Sequence, residues 1–490
     1  MQPNVLLITL DQFRGDSLSC AGHPLVRTPN LDALAADGVR LARHYSQAAP
    51  CAPGRASLYT GMYQMNHRVV ANGTPLDARF DTLALAGRRA GYRPAVFGYT
   101  DQSIDPRLAD GPDDPRLSTY NGTLPGFDNE LDLPDDQGNW LEWLESLGYD
   151  VSAGPGKLLS SESERPAEHS ISAYLTDRAL DWFRRQDGPW FAHLSYLRPH
   201  PPYVAAGHWS TAYAMADVEL PIPPADQRHW LHDAVLADPR TAAPTEEFRI
   251  RRMRAQYYGM ISEVDDQLGR LFGELRRLGA WDDTLVIVTS DHGDMLGDHG
   301  LREKLGYWEQ SFHILGIVRA PGATAARGAV VDAFTENVDV MPTICEAIGV
   351  AVPAQCDGLP LTPWLHGAEP RHWRKAAHWE FDWRSELIRD VPHDWPWDRV
   401  LERAHLAVHR DERAAYVQFG DGSSLCFDLV TDPTWRTPVE DPAVILPLAQ
   451  EMLVWRSRHT DRTLADMLTE HGGVGRWPPL PEGWGGAAPR

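Results

Sequence analysis

Five short runs rich in Val, Ile, Leu and Phe alternate with segments whose apolar residues recur every three or four positions, and this alternation restricts the chain to a mostly parallel sheet covered by helices. The runs are Asn4–Leu10, Arg93–Thr100, Trp190–Leu197, Thr284–Ser290 and Ile314–Arg319; the helical patterns lie near Asn30–Asp37, Asp81–Ala90, Ser170–Arg185 and Glu247–Leu278. The expected class is therefore α/β, a large mostly parallel sheet flanked by helices. In such a sheet ligands bind beyond the carboxyl ends of the strands, where several loops converge. Three runs end suggestively: Leu10 into Asp11-Gln12, Phe97 into Gly98-Tyr99-Thr100-Asp101, and Ser290 into Asp291-His292. A fourth enters Arg198-Pro199-His200-Pro201-Pro202.

A chain of 490 residues exceeds one ordinary core. After about Gly367 the pattern changes to short strands at Ala377–Phe381, His405–His409, Ala415–Phe419 and Ser424–Leu429, then a helix from Pro447 to Glu470. We expect a main α/β unit over residues 1–370 and a smaller α+β unit over 371–490, an antiparallel sheet with one helix. The tail Arg476–Arg490 is either an arm docking on a neighbouring subunit or a frayed terminus. Two polar stretches, Gln102–Glu168 and Gly207–Glu246, carry little periodicity and read as long loops that wall the pocket.

The 46 basic and 68 acidic residues give a net charge of −22, a field that repels nucleic acid and anionic membranes. An anionic substrate must then meet positive charge concentrated locally. Cys20, Cys51, Cys345, Cys356 and Cys426 are odd in number and scattered, which is not a disulfide framework. The apolar run near the N-terminus is too short for a secretory core, and no stretch reaches membrane-spanning length, so the expected location is cytoplasmic.

Chemistry concentrates in Cys51-Ala52-Pro53-Gly54-Arg55-Ala56-Ser57-Leu58-Tyr59-Thr60-Gly61. This C-x-P-x-R string with its downstream Thr-Gly resembles the sulfatase signature, in which the cysteine is oxidised to formylglycine. A hydrated aldehyde offers one hydroxyl to attack and a second to expel the acid from carbon, so one difficult step becomes two easier ones, and diesters are tolerated. Arg55, one turn on, is placed to support the nucleophile, and the helix N-terminus favours an anion. The alternative is a buried free cysteine.

Asp11, Gln12, Asp291 and His292 end two strands and offer hard oxygens and one imidazole to a cation. Carboxylates suit Mg²⁺, Ca²⁺ and Mn²⁺, and the imidazole tilts the site toward Mn²⁺ or Zn²⁺, with Mn²⁺ favoured. Helix capping is the alternative for either aspartate alone. Leaving-group departure needs a proton donor; His200, which the flanking prolines should hold in extended backbone, and Lys304 are the candidates. Asn72 and Tyr99 are candidate donors to substrate oxygens. Asp294, Asp298 and His299 read as loop residues.

Together these motifs resemble the sulfatase group of the alkaline phosphatase superfamily, most closely its phosphonate monoester hydrolase and arylsulfatase branch. Further supporting strings are Met65-Asn66-His67-Arg68, Glu336-Asn337-Val338-Asp339-Val340-Met341-Pro342-Thr343 and His459-Thr460-Asp461-Arg462-Thr463-Leu464. The resemblance implies one divalent metal held by Asp11, Gln12, Asp291, His292 and modified residue 51. It also implies substrate contacts from Asn72, Tyr99, His200 and Lys304, with Arg55 behind the nucleophile. Hydrolysis of sulfate monoesters, phosphonate monoesters or phosphodiesters follows, with a formylglycine-generating maturation enzyme as partner and a homo-oligomer, dimer or tetramer, as the assembly. Where the branch commonly carries a run of threonines, one of which reaches the site, this chain has Thr100 followed by Asp101; where it commonly carries Arg, this chain has His313. A phosphatase without formylglycine and a catalytically inactive binding protein are the competing readings.

Overall fold

The run Asn4–Leu10 forms strand β1 and is buried at all seven positions, as expected of a strand with parallel neighbours on both sides and helices on both faces. The protein is described by a computed structural model covering residues 2–134, 136–383 and 403–460. The remaining strands are β2 (Val39–Tyr45), β3 (Ala48–Ala49), β4 (Ala95–Gly98), β5 (Asp128–Asp132), β6 (Phe191–Tyr196), β7 (Thr284–Thr289), β8 (His313–Ile314), β9 (Gly316–Arg319), β10 (Ala329–Glu336), β11 (Ala377–Asp382), β12 (His405–Arg410), β13 (Ala414–Phe419) and β14 (Ser424–Asp428).

Among the described residues a nine-stranded sheet runs β10-β2-β9-β7-β1-β6-β4-β5, with β8 also paired to β2. It is mostly parallel: β1 pairs in parallel with β6 and β7, β6 with β4, β4 with β5, and β10 with β2, while β9 runs antiparallel to β2 and β7. The 31-residue helix Glu247–Arg277 buries Tyr257, Ile261, Val264, Leu268, Leu271 and Leu275, a stripe of three- and four-residue spacing. Asp265 on that helix accepts from the backbone nitrogens of Asn30 and Leu31 and so tethers the start of the helix Pro29–Asp37.

The smaller sheet has the order β14-β13-β12-β11-β3, antiparallel except where β11 meets β3 in parallel. Since β3 is Ala48–Ala49, this sheet grips the segment immediately before Cys51. The last described helix, Pro442–His459, begins five residues before the expected Pro447: Asp441 caps it through the Ala443 nitrogen and Pro442 occupies its first position. Pro447 lies inside the helix instead of opening it. Residues 461–470 of the expected helix, the tail and the end of the His459–Leu464 string lie outside the described residues.

Two further expectations change. The stretch Gln102–Glu168 contains β5 and the helices Gly138–Ser146 and Pro155–Ser160, and it buries Leu133, Trp140, Leu144 and Leu158. Gly207–Glu246 contains the helix Trp230–Leu236. Their apolar residues are too sparse to display a period, yet each docks on the core. Among the described residues no helix is long and apolar enough to cross a membrane.

The core also carries buried imidazoles. Burial pushes His44, His67 and His299 down to about 3 and His232 to about 4, and drives His193 and His378 well below the ordinary value of 6.5. Unfolded, these rings take protons below pH 6.5; folded, they refuse them, so their contribution to stability is complete above 6.5 and is lost as the pH falls. Glu263 and Glu336, raised by burial to about 7, and Asp265, raised by burial to about 6, oppose the trend by taking protons in the folded state. That opposition ends once the unfolded carboxyls protonate as well. The expected result is an unfolding free energy, read from denaturant melts, that declines below pH 6.5 and falls by more than about 1.4 kcal/mol per pH unit, the worth of one net proton, below about 4.5; an unfolding free energy unchanged from pH 7 to 4 contradicts it.

Candidate active site

Four adjacent strands, β7, β1, β6 and β4, direct their carboxyl ends to one side of the large sheet, and the helix Cys51–Thr60 begins there. The helix starts at Cys51 after Pro50, and the exposed Asn72 caps it: its Oδ1 accepts from the Ala52 nitrogen at 2.9 Å. Gly54 permits the close approach. A Cβ at this position would lie 2.5 Å from the carbonyl oxygen of Asp291 and 3.0 Å from that of Ala48, both backbone atoms that cannot swing aside. Gly54→Ala is therefore expected to cost about 1–3 kcal/mol in denaturant unfolding and to lower turnover by more than about tenfold, because Asp291 moves with its carbonyl.

Ligand atoms of Asp11, Cys51, Asp291 and His292 all lie within 4.8 Å of one another, and all four residues are buried. The His292 Nε2 is 3.3 Å from Cys51 Sγ, 3.9 Å from Asp11 Oδ1 and 3.8 Å from Asp291 Oδ2, spacings close to the roughly 3–4 Å between neighbouring ligands of a small divalent cation. The Nδ1 of His292 faces the Gly293 carbonyl at 3.0 Å. A carbonyl only accepts, so the proton sits on Nδ1 and the Nε2 lone pair faces the cluster. Asp11 Oδ1 is buried with no hydrogen-bond partner. An orphaned carboxylate oxygen among two aspartates, one imidazole and one sulfur fits a cation and fits little else.

Arg55 lies behind this cluster, completely buried. Its Nε donates to Asp291 Oδ2 (2.9 Å), Nη2 to Asp11 Oδ2 (3.0 Å), and Nη1 to the Ser195 hydroxyl (2.7 Å) and the Tyr99 carbonyl (3.1 Å). Its guanidinium therefore engages both aspartates: it leaves Asp11 Oδ1 turned toward the cluster, and it shares Asp291 Oδ2, the oxygen nearest His292 Nε2, while Asp291 Oδ1 accepts from the Gln12 and His292 backbone nitrogens. Asp101 is also paired with it, Oδ2 lying 3.4 Å from Arg55 Nε, so the carboxylate that replaces a threonine meets a cation. Burial raises the Asp11 pKa, but His200, Arg55, His292 and Lys304 together outweigh it and hold the carboxyl below the usual range. Burial, then Asp11, pushes the Cys51 thiol well above its ordinary value.

His200 and Lys304 form the opposite wall. Lys304 Nζ donates to Gln12 Oε1 and to His200 Nε2, both at 3.0 Å, while His200 Nδ1 faces the Pro201 carbonyl at 2.8 Å. The tautomer follows as for His292: Nδ1 carries the proton and Nε2 receives one from lysine. Burial works against the Lys304 charge, but Cys51, Glu303, Asp11 and Asp291 hold its pKa well above 10.5; burial first and Lys304 next lower that of His200. The chain turns on the way to His200, whose nitrogen donates to the Leu197 carbonyl at 2.9 Å; with three prolines the segment has few amide hydrogens, and this one is used locally.

Other candidates act one step further out. The Tyr99 hydroxyl donates to Asp11 Oδ2 at 2.6 Å and its ring lies 4.4 Å from the Arg55 guanidinium carbon. Thr100 Oγ1 donates to the Gly122 carbonyl and accepts from the Leu124 nitrogen, fixing the loop beyond β4. Gln12, in left-handed backbone at φ 69°, donates its backbone nitrogen to Asp291 Oδ1 and its Nε2 to Asp294 Oδ2. That last bond orients the amide so that Oε1 faces Lys304, and the Tyr203 hydroxyl completes Asp294 Oδ2 at 2.8 Å. Asp294 reads as a loop residue in the sequence, and Tyr203 and Ser195 are not among the sequence candidates. Proximity to Asp291-His292 was a signal for the first; nothing local marks the other two. His313 bonds the Ala42 carbonyl and packs on Tyr45.

The chain matches the family described as Sulfatase over residues 3–350. It is 38% identical to the multifunctional alkaline phosphatase superfamily protein PehA of Trinickia caryophylli, over 94% of this chain and 96% of that protein. It is 29% identical to a choline-sulfatase of Rhizobium meliloti, over 97% and 90%. Among solved structures, the phosphonate monoester hydrolase of Agrobacterium radiobacter superposes with a TM-score of 0.87 at 41% identity, covering 97% of this chain and 100% of that one.

Proposed function

From the premise that this chain belongs to the sulfatase family, we propose that it hydrolyses sulfate monoesters, phosphonate monoesters or phosphodiesters with a formylglycine hydrate made from Cys51 beside one divalent metal ion. The observation that carries this reading is the buried quartet of Asp11, Cys51, Asp291 and His292, with one carboxylate oxygen left without a partner. Those four residues would hold the metal, and Gln12 Oε1, which retains a second lone pair beside Lys304, is available to it. Mn²⁺ suits this mixture of carboxylate and imidazole best, with Zn²⁺, Ca²⁺ and Mg²⁺ as alternatives. Bound there, the cation supplies positive charge against the ester oxygens. A hydrated aldehyde at position 51 supplies two hydroxyls on one carbon, one for attack and one for release of the acid; a formylglycine-generating maturation enzyme would install it.

The chain's own residues do the rest. Arg55 cancels the charge of the aspartates from behind without occupying the substrate side. Lys304 and His200 share a proton at 3.0 Å and deliver it to the departing oxygen. Asn72 fixes the helix start that presents residue 51.

The test is a matched panel of 4-nitrophenyl sulfate, 4-nitrophenyl phenylphosphonate and bis(4-nitrophenyl) phosphate, assayed with each of the four metals and after chelation. The reading expects turnover of at least one ester, lost on chelation and restored by Mn²⁺. No turnover of any of the three by metal-loaded protein modified at residue 51 would favour a binding protein instead.

A further inference from the structure

The segment Arg198-Pro199-His200-Pro201-Pro202 contains three residues without an amide hydrogen, so its own backbone donors cannot anchor it beyond the single bond from His200 to Leu197. What anchors it is a side chain. Arg198 is completely buried, and its Nη1 donates to the carbonyls of both His200 (2.8 Å) and Pro202 (3.1 Å). On the other side Nε and Nη2 both donate to Glu162 Oε2, which is equally buried. Glu162 Oε1 accepts in turn from the Ile171 nitrogen at 3.0 Å, at the first residue of the helix Ile171–Phe183.

We propose that Arg198 and Glu162, which touch neither the metal ligands nor residue 51, are positioning residues that hold the His200 turn so that the imidazole meets Lys304. The proposal rests on the reading of His200 as part of the proton donor. A buried ion pair is costly to assemble and can often be replaced by apolar residues without loss of stability, so its value here lies in geometry. A planar guanidinium serves two carbonyls on one edge and a carboxylate on the other, whereas a lysine offers one point charge and cannot span both. Glu263, from the helix Glu247–Arg277, stands behind the pair. Its Oε2 accepts from the Ala206 nitrogen at 3.3 Å, and burial followed by the charge of Glu162 raises its pKa to about 7. Residues on three separate elements thus converge behind one turn.

The test uses Arg198→Lys and Glu162→Gln in the full-length, metal-loaded protein, with His200→Ala as reference. Each is assayed on the 4-nitrophenyl and ethyl esters of phenylphosphonate, or on the corresponding sulfates if sulfate is the acid turned over. A misplaced proton donor harms a poor leaving group far more than a good one. Arg198→Lys should therefore lose about 100-fold on the ethyl ester and less than about tenfold on the 4-nitrophenyl ester, and the Arg198→Lys/His200→Ala double variant should be no slower on the ethyl ester than His200→Ala alone. Equal losses on both esters, or losses that multiply with that of His200→Ala, overturn the proposal.

Crystal structures of both variants give a readout independent of turnover: the 3.0 Å contact between His200 Nε2 and Lys304 Nζ should open. An unchanged contact in both variants also overturns it. If His200→Ala itself shows no dependence on the leaving group, the proton-donor reading fails, and the displacement of the ring alone decides the positioning role.

Discussion

Cys51→Ala is expected to lower kcat by at least about 10⁴-fold while leaving the denaturant midpoint nearly unchanged. The side chain is small and 5% exposed, its sulfur contacts His292 Nε2 at 3.3 Å, and the helix that begins at residue 51 is capped by Asn72 through the backbone of Ala52 rather than through the cysteine. Alanine keeps that helix and removes the sulfur, without which the β-carbon of residue 51 cannot be oxidised to an aldehyde. The measurement is kcat on the ester that wild-type protein turns over best, with circular dichroism to show the fold intact. A variant retaining more than about a tenth of wild-type turnover contradicts any account in which residue 51 forms a bond to the substrate.

Arg55→Met should act chiefly on stability. The guanidinium lies within 3.4 Å of three carboxylates, those of Asp11, Asp291 and Asp101, and every one of these side chains is at least nine-tenths buried. Removing one partner from a buried ionic cluster costs about 3–5 kcal/mol because the remaining charges stay buried and unpaired. Methionine fills similar space without charge, so the loss reports electrostatics rather than a cavity. A saturating divalent cation, binding the folded state only, should recover part of that loss, and should raise the midpoint of the variant more than that of wild-type protein, where Arg55 already offsets the aspartates. Equal cation-induced shifts in the two proteins would show that Arg55 and the metal do not share the same carboxylates.

The class of the fold was legible because β1 and β7 are nearly continuous apolar runs and β6 an apolar-rich one broken by His193 and Ser195, all buried at every position, as strands of a doubly covered parallel sheet are. Strand β2 was not, since Arg40 and Arg43 interrupt its apolar residues, and β5, Asp128–Asp132, is a polar edge strand with only Leu131 well buried. The two residues of β3 carry no periodicity at all; they are strand only because β11 lies beside them. The site divides along the same line. Asp11, Gln12, Asp291 and His292 follow strand ends, and Cys51 opens a local motif, so each announces itself within a few neighbouring letters. The ties among Arg55, Ser195 and Asp101, among Gln12, Asp294 and Tyr203, and between Arg198 and Glu162 join residues that only the finished fold brings together. Spacing in sequence holds no trace of them.

The most direct test of the account is mass spectrometry of the proteolytic peptide containing residue 51, taken from protein co-produced with a formylglycine-generating enzyme and from protein made without it, with turnover measured on the same samples. A formylglycine nucleophile requires a peptide lighter by the difference between a thiol and an aldehyde in the first sample, and a rate that rises in proportion to its fraction. Full turnover by protein whose residue 51 is entirely cysteine would contradict it.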